Sequence, residues 1–181
     1  MTDVAFDSVD KTYISDGYIN SRIAKVDKYG NWLKSRGERG NGPGQFSTPH
    51  ALAVDAKDNV YVADRGNHRI QVFDGEGNFL RQMTIDVPVP ADAKPAIGNI
   101  PSEAQLARGT FVPGSPWTIC ITPGPNQVMY TADAWPGRIY KLTLDGQVLG
   151  VLGESGKHTS NLVGFTRSPA RPKTYFGWAS Y

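Results

Sequence analysis

The sequence predicts an all-β fold, a propeller of three four-stranded blades, and three observations carry that prediction. The first is an internal repeat: residues 16–33 read DGYINSRIAKVDKYGNWL, residues 64–80 read DRGNHRIQVFDGEGNFL, and residues 133–149 read DAWPGRIYKLTLDGQVL. In each copy an Arg-Ile pair (Arg22-Ile23, Arg69-Ile70, Arg138-Ile139) is followed by a glycine eight residues after the arginine (Gly30, Gly77, Gly146). A leucine follows ten residues after the isoleucine (Leu33, Leu80, Leu149). The second observation is that every copy holds four short apolar runs separated by turn residues, which is the length and spacing of antiparallel strands. The third is composition: 20 glycines and 13 prolines among 181 residues favour many short strands joined by tight turns. Four strands in a tandem unit make a propeller blade.

The elements follow in chain order. The first blade opens with Val4-Ala5-Phe6, continues with Thr12-Tyr13-Ile14-Ser15, and ends with the runs on either side of Gly30. The second opens with Ala51-Leu52-Ala53-Val54 and Asn59-Val60-Tyr61-Val62, and the third with Ile119-Cys120-Ile121 and Gln127-Val128-Met129-Tyr130. From Asp16 to Asp64 the spacing is 48 residues, and from Asp64 to Asp133 it is 69. The excess lies in residues 86–113, rich in proline and alanine, which reads as a surface excursion between blades. The organisation is therefore three blades over 1–156 (2–48, 49–115 with the insert, 116–156) and a non-repeat tail over 157–181. The tail carries Lys157, Arg167, Arg171 and Lys173 and no acid, so it is +4 within a chain of net charge +2. Pro169 and Pro172 argue against a ladder strand there.

Composition excludes several classes. With 39% hydrophobic and 20% charged residues the chain is neither disordered throughout nor a coiled coil. The long uncharged stretch from Gly109 to Ala132 contains four prolines and three glycines, so it is not a membrane helix, and no membrane partner is expected. Met1-Thr2-Asp3 leads directly into a strand pattern without a secretory leader, so the chain is either cytoplasmic or begins inside a longer one. The single cysteine, Cys120 between two isoleucines, reads as a small buried hydrophobe.

The run VYVADRGNHRIQVFDGEGNFLRQ resembles an NHL repeat, and the pattern recurs three times over roughly residues 2–153. More narrowly, YISDGYINSRI, GPGQFSTPHALAV and VADRGNHRIQVF are similar to the propeller of the peptidyl-α-hydroxyglycine α-amidating lyases (peptidylamidoglycolate lyases) and their bacterial relatives. The resemblance implies an NHL-type β-propeller of six blades, of which this chain holds about half. A closed propeller needs at least four blades, because each packs on both neighbours. Two explanations stand: the chain is a piece of a longer propeller, or two copies form a homodimer, head to tail, that completes the ring.

Antiparallel alternation puts the start of a blade's innermost strand at the same end as the finish of its second strand. His50 opens an innermost strand, Arg65 finishes the second strand of that blade, and Tyr18 lies just past the second strand of the preceding blade. All three are expected at one end of the propeller near its axis. Trp117, after Pro116, takes the slot in the third blade that His50 takes in the second and is placed on the substrate rim. The resemblance implies that His50 is a zinc ligand, that Tyr18 removes a proton from a substrate hydroxyl, and that Arg65 stands beside it. It also implies a possible calcium ion, a peptide substrate, and export to an extracellular or periplasmic setting.

An ordinary phenol, with a pKa near 10, is a poor base, so Tyr18 needs a neighbouring cation or metal for that task. The other two zinc histidines would fall before Met1 and near residues 164–169, where the sequence reads GFTRSP. One histidine is not a three-ligand site, and the chain alone is expected to be inactive.

Structural readings stand beside these. His50 lines the channel with bonds to backbone or water, Arg65 pairs with Asp64 or Asp16, and His68 belongs to the repeat signature. The recurring Asp16, Asp64 and Asp133 bond turn backbone or the repeat arginines. The glycine-rich 40–46 follows no βαβ strand and reads as the connector between blades. A non-catalytic module that binds protein, glycan or RNA through its rim is the alternative function. Nucleic-acid binding by the tail, with Phe165, Tyr175, Phe176 and Trp178 among its basic residues, is the least favoured.

Overall fold

The computed structural model describes residues 1–93, 100–107 and 111–153. The first sheet is an antiparallel meander of β1 (Asp3–Phe6), β2 (Thr12–Asp16), β3 (Arg22–Val26) and β4 (Trp32–Arg36). A connector follows in which β5 (Glu38–Arg39) pairs in parallel with β6 (Gln45–Phe46). The second meander is β7 (Pro49–Val54), β8 (Val60–Asp64), β9 (Arg69–Phe73) and β10 (Phe79–Met83), and the third is β11 (Thr118–Ile121), β12 (Met129–Ala132), β13 (Ile139–Leu142) and β14 (Val148–Leu152). The three sheets are the all-β blades that the repeat predicts. The innermost strand β7 packs between β1 and β11, so the three blades stand side by side around a common axis.

The repeat glycines are explained by the turns between the third and fourth strands. Gly30, Gly77 and Gly146 have φ of 86°, 83° and 98°, a left-handed backbone that glycine adopts without a steric penalty. Asp27 and Asp74 open two of these turns, and each carboxylate accepts backbone N–H groups two and four residues on. The Asn31 side-chain amide, with these N–H groups, holds the Asp27 carboxyl below its usual range, and the Asn78 N–H and side-chain amide do the same for Asp74.

Period-two alternation divides every blade into a backward face, toward the preceding blade, and a forward face, toward the next. Ala5 and Tyr13 on the forward face of the first blade pack against Leu52, Val60, Val62 and Phe73 on the backward face of the second, with Phe46 from the connector. Ala51, Ala53, Tyr61, Ala63, Ile70, Val72 and Met83 on its forward face meet Ile119, Met129, Tyr140 and Leu142 of the third. Both faces of the middle blade are covered, and every residue of β8 and β9 is buried. In the flanking blades β2 and β12 the burial alternates, because only one face of each meets a neighbour among the described residues.

This alternation corrects the expectation for Cys120, which is exposed. Its neighbours Ile119 and Ile121 point to the second blade, and the cysteine between them points to the uncovered side. In the 86–113 stretch a short helix, α1 (Glu103–Ala107), buries no residue, and Ser102 and Gln105 cap its start reciprocally. No described helix is long and apolar enough to cross a membrane. The 157–181 tail, with the basic and aromatic residues singled out above, lies outside the described residues.

Candidate active site

Four side chains meet where the second strands end and the innermost strands begin. Pro49 and His50 start β7, and the Pro49 carbonyl accepts the Thr2 hydroxyl at 2.9 Å. Gly17, just past β2, crosses directly over that carbonyl: a Cβ there would sit 2.0 Å from the Pro49 oxygen. Only glycine permits this approach, and it brings Tyr18 against His50. The Tyr18 hydroxyl lies 3.5 Å from His50 Nε2, with the two rings edge-on at 6.2 Å.

On the other side of the imidazole, His50 Nδ1 is 2.7 Å from the Trp117 carbonyl. A carbonyl only accepts, so Nδ1 carries the proton and Nε2 presents its lone pair toward Tyr18. Burial lowers the His50 pKa; the Trp117 carbonyl opposes this, and the nearby Arg65 charge adds to it. At neutral pH the ring is therefore an uncharged acceptor.

Arg65 opens a single 3₁₀ turn, Arg65–Asn67, directly after β8. Its carbonyl accepts the hydroxyl of the buried Ser115 at 2.7 Å, which fastens the entry of the third blade to the second and swings Trp117 over the guanidinium. The guanidinium carbon is 4.3 Å from the Trp117 ring centre and 5.7 Å from that of Tyr18. These are cation–π distances, and the aromatic faces replace part of the lost hydration. Arg65 does not pair with Asp64 or Asp16, which corrects the bland expectation for it. The Asp64 carboxylate is already filled by the Ser47 N–H, Asn67, Arg69 and Gln71. Asp16 is taken by Asn20 and Arg22. Among the described residues no carboxylate forms an ion pair with Arg65, although it is only 6% exposed, and its Nε has no hydrogen-bond partner.

The arrangement thus combines a buried cation with no counter-ion among the described residues, a neutral imidazole acceptor, a phenol beside both and an indole wall. Chemically it can receive an anion and move a proton from Tyr18 to His50. Tyr18, His50, Arg65 and Trp117, all singled out from sequence, are brought together. Gly17, Ser115 and Phe111, whose ring lies 6.0 Å from that of Trp117, were not. A glycine immediately before Tyr18 was the available signal for the first; nothing in the sequence marked the other two.

His68 stands apart, in a left-handed conformation (φ 55°) at the end of the 3₁₀ turn, where burial lowers its pKa. Among the described residues no group of three His, Cys, Asp or Glu could hold a metal ion. His50 alone does not make a three-ligand zinc site among the described residues.

The NHL repeat family matches residues 46–73, which run from the connector through the second blade to the end of β9. NHL repeat-containing protein 3 of Mus musculus is 46% identical over 77 residues, which cover 41% of this chain and 22% of that protein. Peptidylglycine alpha-amidating monooxygenase of Rattus norvegicus is 47% identical over 89 residues, covering 45% of this chain and 9% of that one. A probable peptidyl-alpha-hydroxyglycine alpha-amidating lyase of Caenorhabditis elegans is 34% identical over 102 residues, covering 55% and 29%. The chain spans less than a third of each of these relatives. Among solved structures, virginiamycin B lyase from Staphylococcus aureus superimposes with a TM-score of 0.52 at 15% identity, over 83% of this chain and 40% of that one. This likeness shows the propeller fold alone.

Proposed function

We propose that the NHL-type blades of this chain carry the substrate-binding and proton-transfer part of a lyase site for peptidyl-α-hydroxyglycine. One observation carries the reading: Tyr18, His50 and Arg65, the residues that match the lyase pattern, converge with the Tyr18 hydroxyl 3.5 Å from His50 Nε2. The relatives named as amidating enzymes support the same assignment.

In the reaction the substrate hydroxyl loses its proton, the C–N bond to the peptide breaks as the C=O of glyoxylate forms, and the departing amide nitrogen takes up a proton. Arg65 would hold the substrate carboxylate, the anion its position calls for. Tyr18 would take the hydroxyl proton as its own passes to His50 Nε2, and the relay would return a proton to the amide nitrogen. Trp117 would form the wall against which the peptide end lies. No step runs through zinc, because the described residues offer one ligand of the three required.

The test is binding of a peptide ending in α-hydroxyglycine, read by quenching of Trp117 fluorescence, with Trp117→Phe as the background. Quenching that saturates in the native chain and in Tyr18→Phe, and weakens at least tenfold in Arg65→Ala, supports the reading. No saturable quenching, or quenching that Arg65→Ala leaves unchanged in a folded protein, overturns it.

A further inference from the structure

The two described inter-blade interfaces are built from equivalent positions and packed differently. Between the second and third blades, Val72 and Met83 join Met129 and Leu142 in the core, and Leu144 and Val148 pack against them. Register places Lys25 and Arg36 of the first blade where Val72 and Met83 stand in the second. Lys25 pairs with Tyr13 as Val72 pairs with Tyr61, and Arg36 pairs with Ile23 as Met83 pairs with Ile70. Arg36 lies beside Gly77 just as Met83 lies beside Gly146. Across the gap, two residues after β9, Gly75 takes the place that Leu144 takes two residues after β13, and it brings no side chain. Where apolar side chains fill the interface of the second and third blades, that of the first and second therefore holds a cleft of about 840 Å³.

The cleft is lined by described residues, and its two walls are unlike. The second blade and the connector supply phenyl rings: Phe73 stands edge-on to Phe79 at 5.9 Å and tilted against Phe46 at 5.8 Å, and Phe79 remains 38% exposed. The first blade supplies Lys25, Lys34 and Arg36. The carboxylates of the cleft are already engaged. Asp74 accepts the N–H groups of Glu76 and Asn78 within its own turn, Glu38 accepts the Gln45 amide, and Glu76 is shared by both lysines. Arg36 forms no ion pair with any described carboxylate. Two cations thus stand where the neighbouring interface buries two apolar side chains. That exchange gives up buried apolar area and leaves one positive charge unmatched opposite aromatic rings.

We infer that this cleft binds a small aryl carboxylate, with its ring against Phe73 and Phe79 and its carboxylate on the Arg36 guanidinium, Lys34 standing beside it. The volume and the mixture of an apolar wall with a few charged groups are those of a small-molecule site. An aromatic body gains from edge-on and offset contacts with the two phenyl rings, and the planar guanidinium matches a carboxylate in two parallel hydrogen bonds. The cleft opens between blades, apart from the residues gathered around His50, and this inference does not rest on the lyase reading.

Titration of the nitrogen-15-labelled chain with phenylacetate, followed by amide chemical shifts, tests it. Phenylacetamide, which keeps the ring and loses the charge, and acetate, which keeps the charge and loses the ring, are the comparison probes. Arg36 is exposed, so Arg36→Met, which installs the residue type of the second blade, leaves the fold intact, and the unshifted remainder of the spectrum verifies this. The expected result is a set of saturable shifts confined to residues 36–46 and 73–79. Affinity is expected to fall about tenfold in Arg36→Met and for phenylacetamide, the loss of one charge-assisted hydrogen bond, and to fall for acetate as well. The absence of saturable shifts overturns the inference. So does an affinity that Arg36→Met or the uncharged amide leaves unchanged, or a set of shifts centred on Trp117 instead of the cleft.

Discussion

Asp64→Asn and Asp16→Asn make the same change at equivalent positions of two blades, and the structure assigns them very different costs. The Asp64 carboxylate is fully buried and accepts four hydrogen bonds, from the Ser47 N–H, Asn67, Arg69 and Gln71, at 2.7–3.1 Å. Removing its charge leaves the buried Arg69 guanidinium without its partner and turns an amide N–H toward existing donors. Breaking a buried pair in this way costs about 3–5 kcal/mol. For a chain of this length that lowers the melting temperature by roughly 6–20 °C.

Asp16 is a quarter exposed and its Arg22 partner more so. A pair of that kind contributes about 0–1 kcal/mol. Thermal and urea unfolding of both variants, followed by circular dichroism at one matched concentration, provides the comparison. Equal losses for the two variants would refute the assignment of Asp64–Arg69 as a buried clamp on the carbonyls of Asn41, Gly42 and Gln45 and of Asp16–Arg22 as a partly exposed pair.

Other outcomes follow from the same geometry. His50 and His68 have pKa values below the usual 6.5, chiefly through burial, so both are neutral in the folded chain. The unfolded chain takes up their protons at higher pH, so the stability they contribute is whole above pH 6.5 and is lost as the pH falls through their folded values; melting temperatures from pH 8 to 5 will show the decline, and His68→Gln will reduce it. Gly17→Ala places a methyl group 2.0 Å from the Pro49 carbonyl and is expected to separate Tyr18 from His50 while the blades stay folded, with loss of nuclear Overhauser contacts between the two rings as the readout. The buried Thr131 hydroxyl has no hydrogen-bond partner among the described residues, so Thr131→Val, of equal shape, should stabilise the chain by about 1 kcal/mol in urea unfolding.

The strands were legible because the same pattern is written three times, and the left-handed glycines at 30, 77 and 146 mark equivalent turns. The convergence of Tyr18, His50 and Arg65 was legible as well, since strand direction alone sends the end of one strand and the start of another to the same rim. Local sequence did not show which face of a strand finds a neighbour. Ile119-Cys120-Ile121 looks buried on both sides, but the cysteine points away from the second blade. Nor did it show that Asp64 is saturated by its own blade, which leaves Arg65 between two aromatic rings instead of in an ion pair. Phe46, in the glycine-rich connector, is a core residue because β5 and β6 fold it between two blades, a tertiary contact without a local signature.

The most direct measurement of the central claim is nitrogen-15 and proton NMR of the His50 ring. A neutral imidazole protonated on Nδ1 at pH 7.5, with Overhauser contacts from its ring to those of Tyr18 and Trp117, is the predicted result. An Nε2-protonated ring, or the absence of contacts to either aromatic in the folded chain, would contradict it.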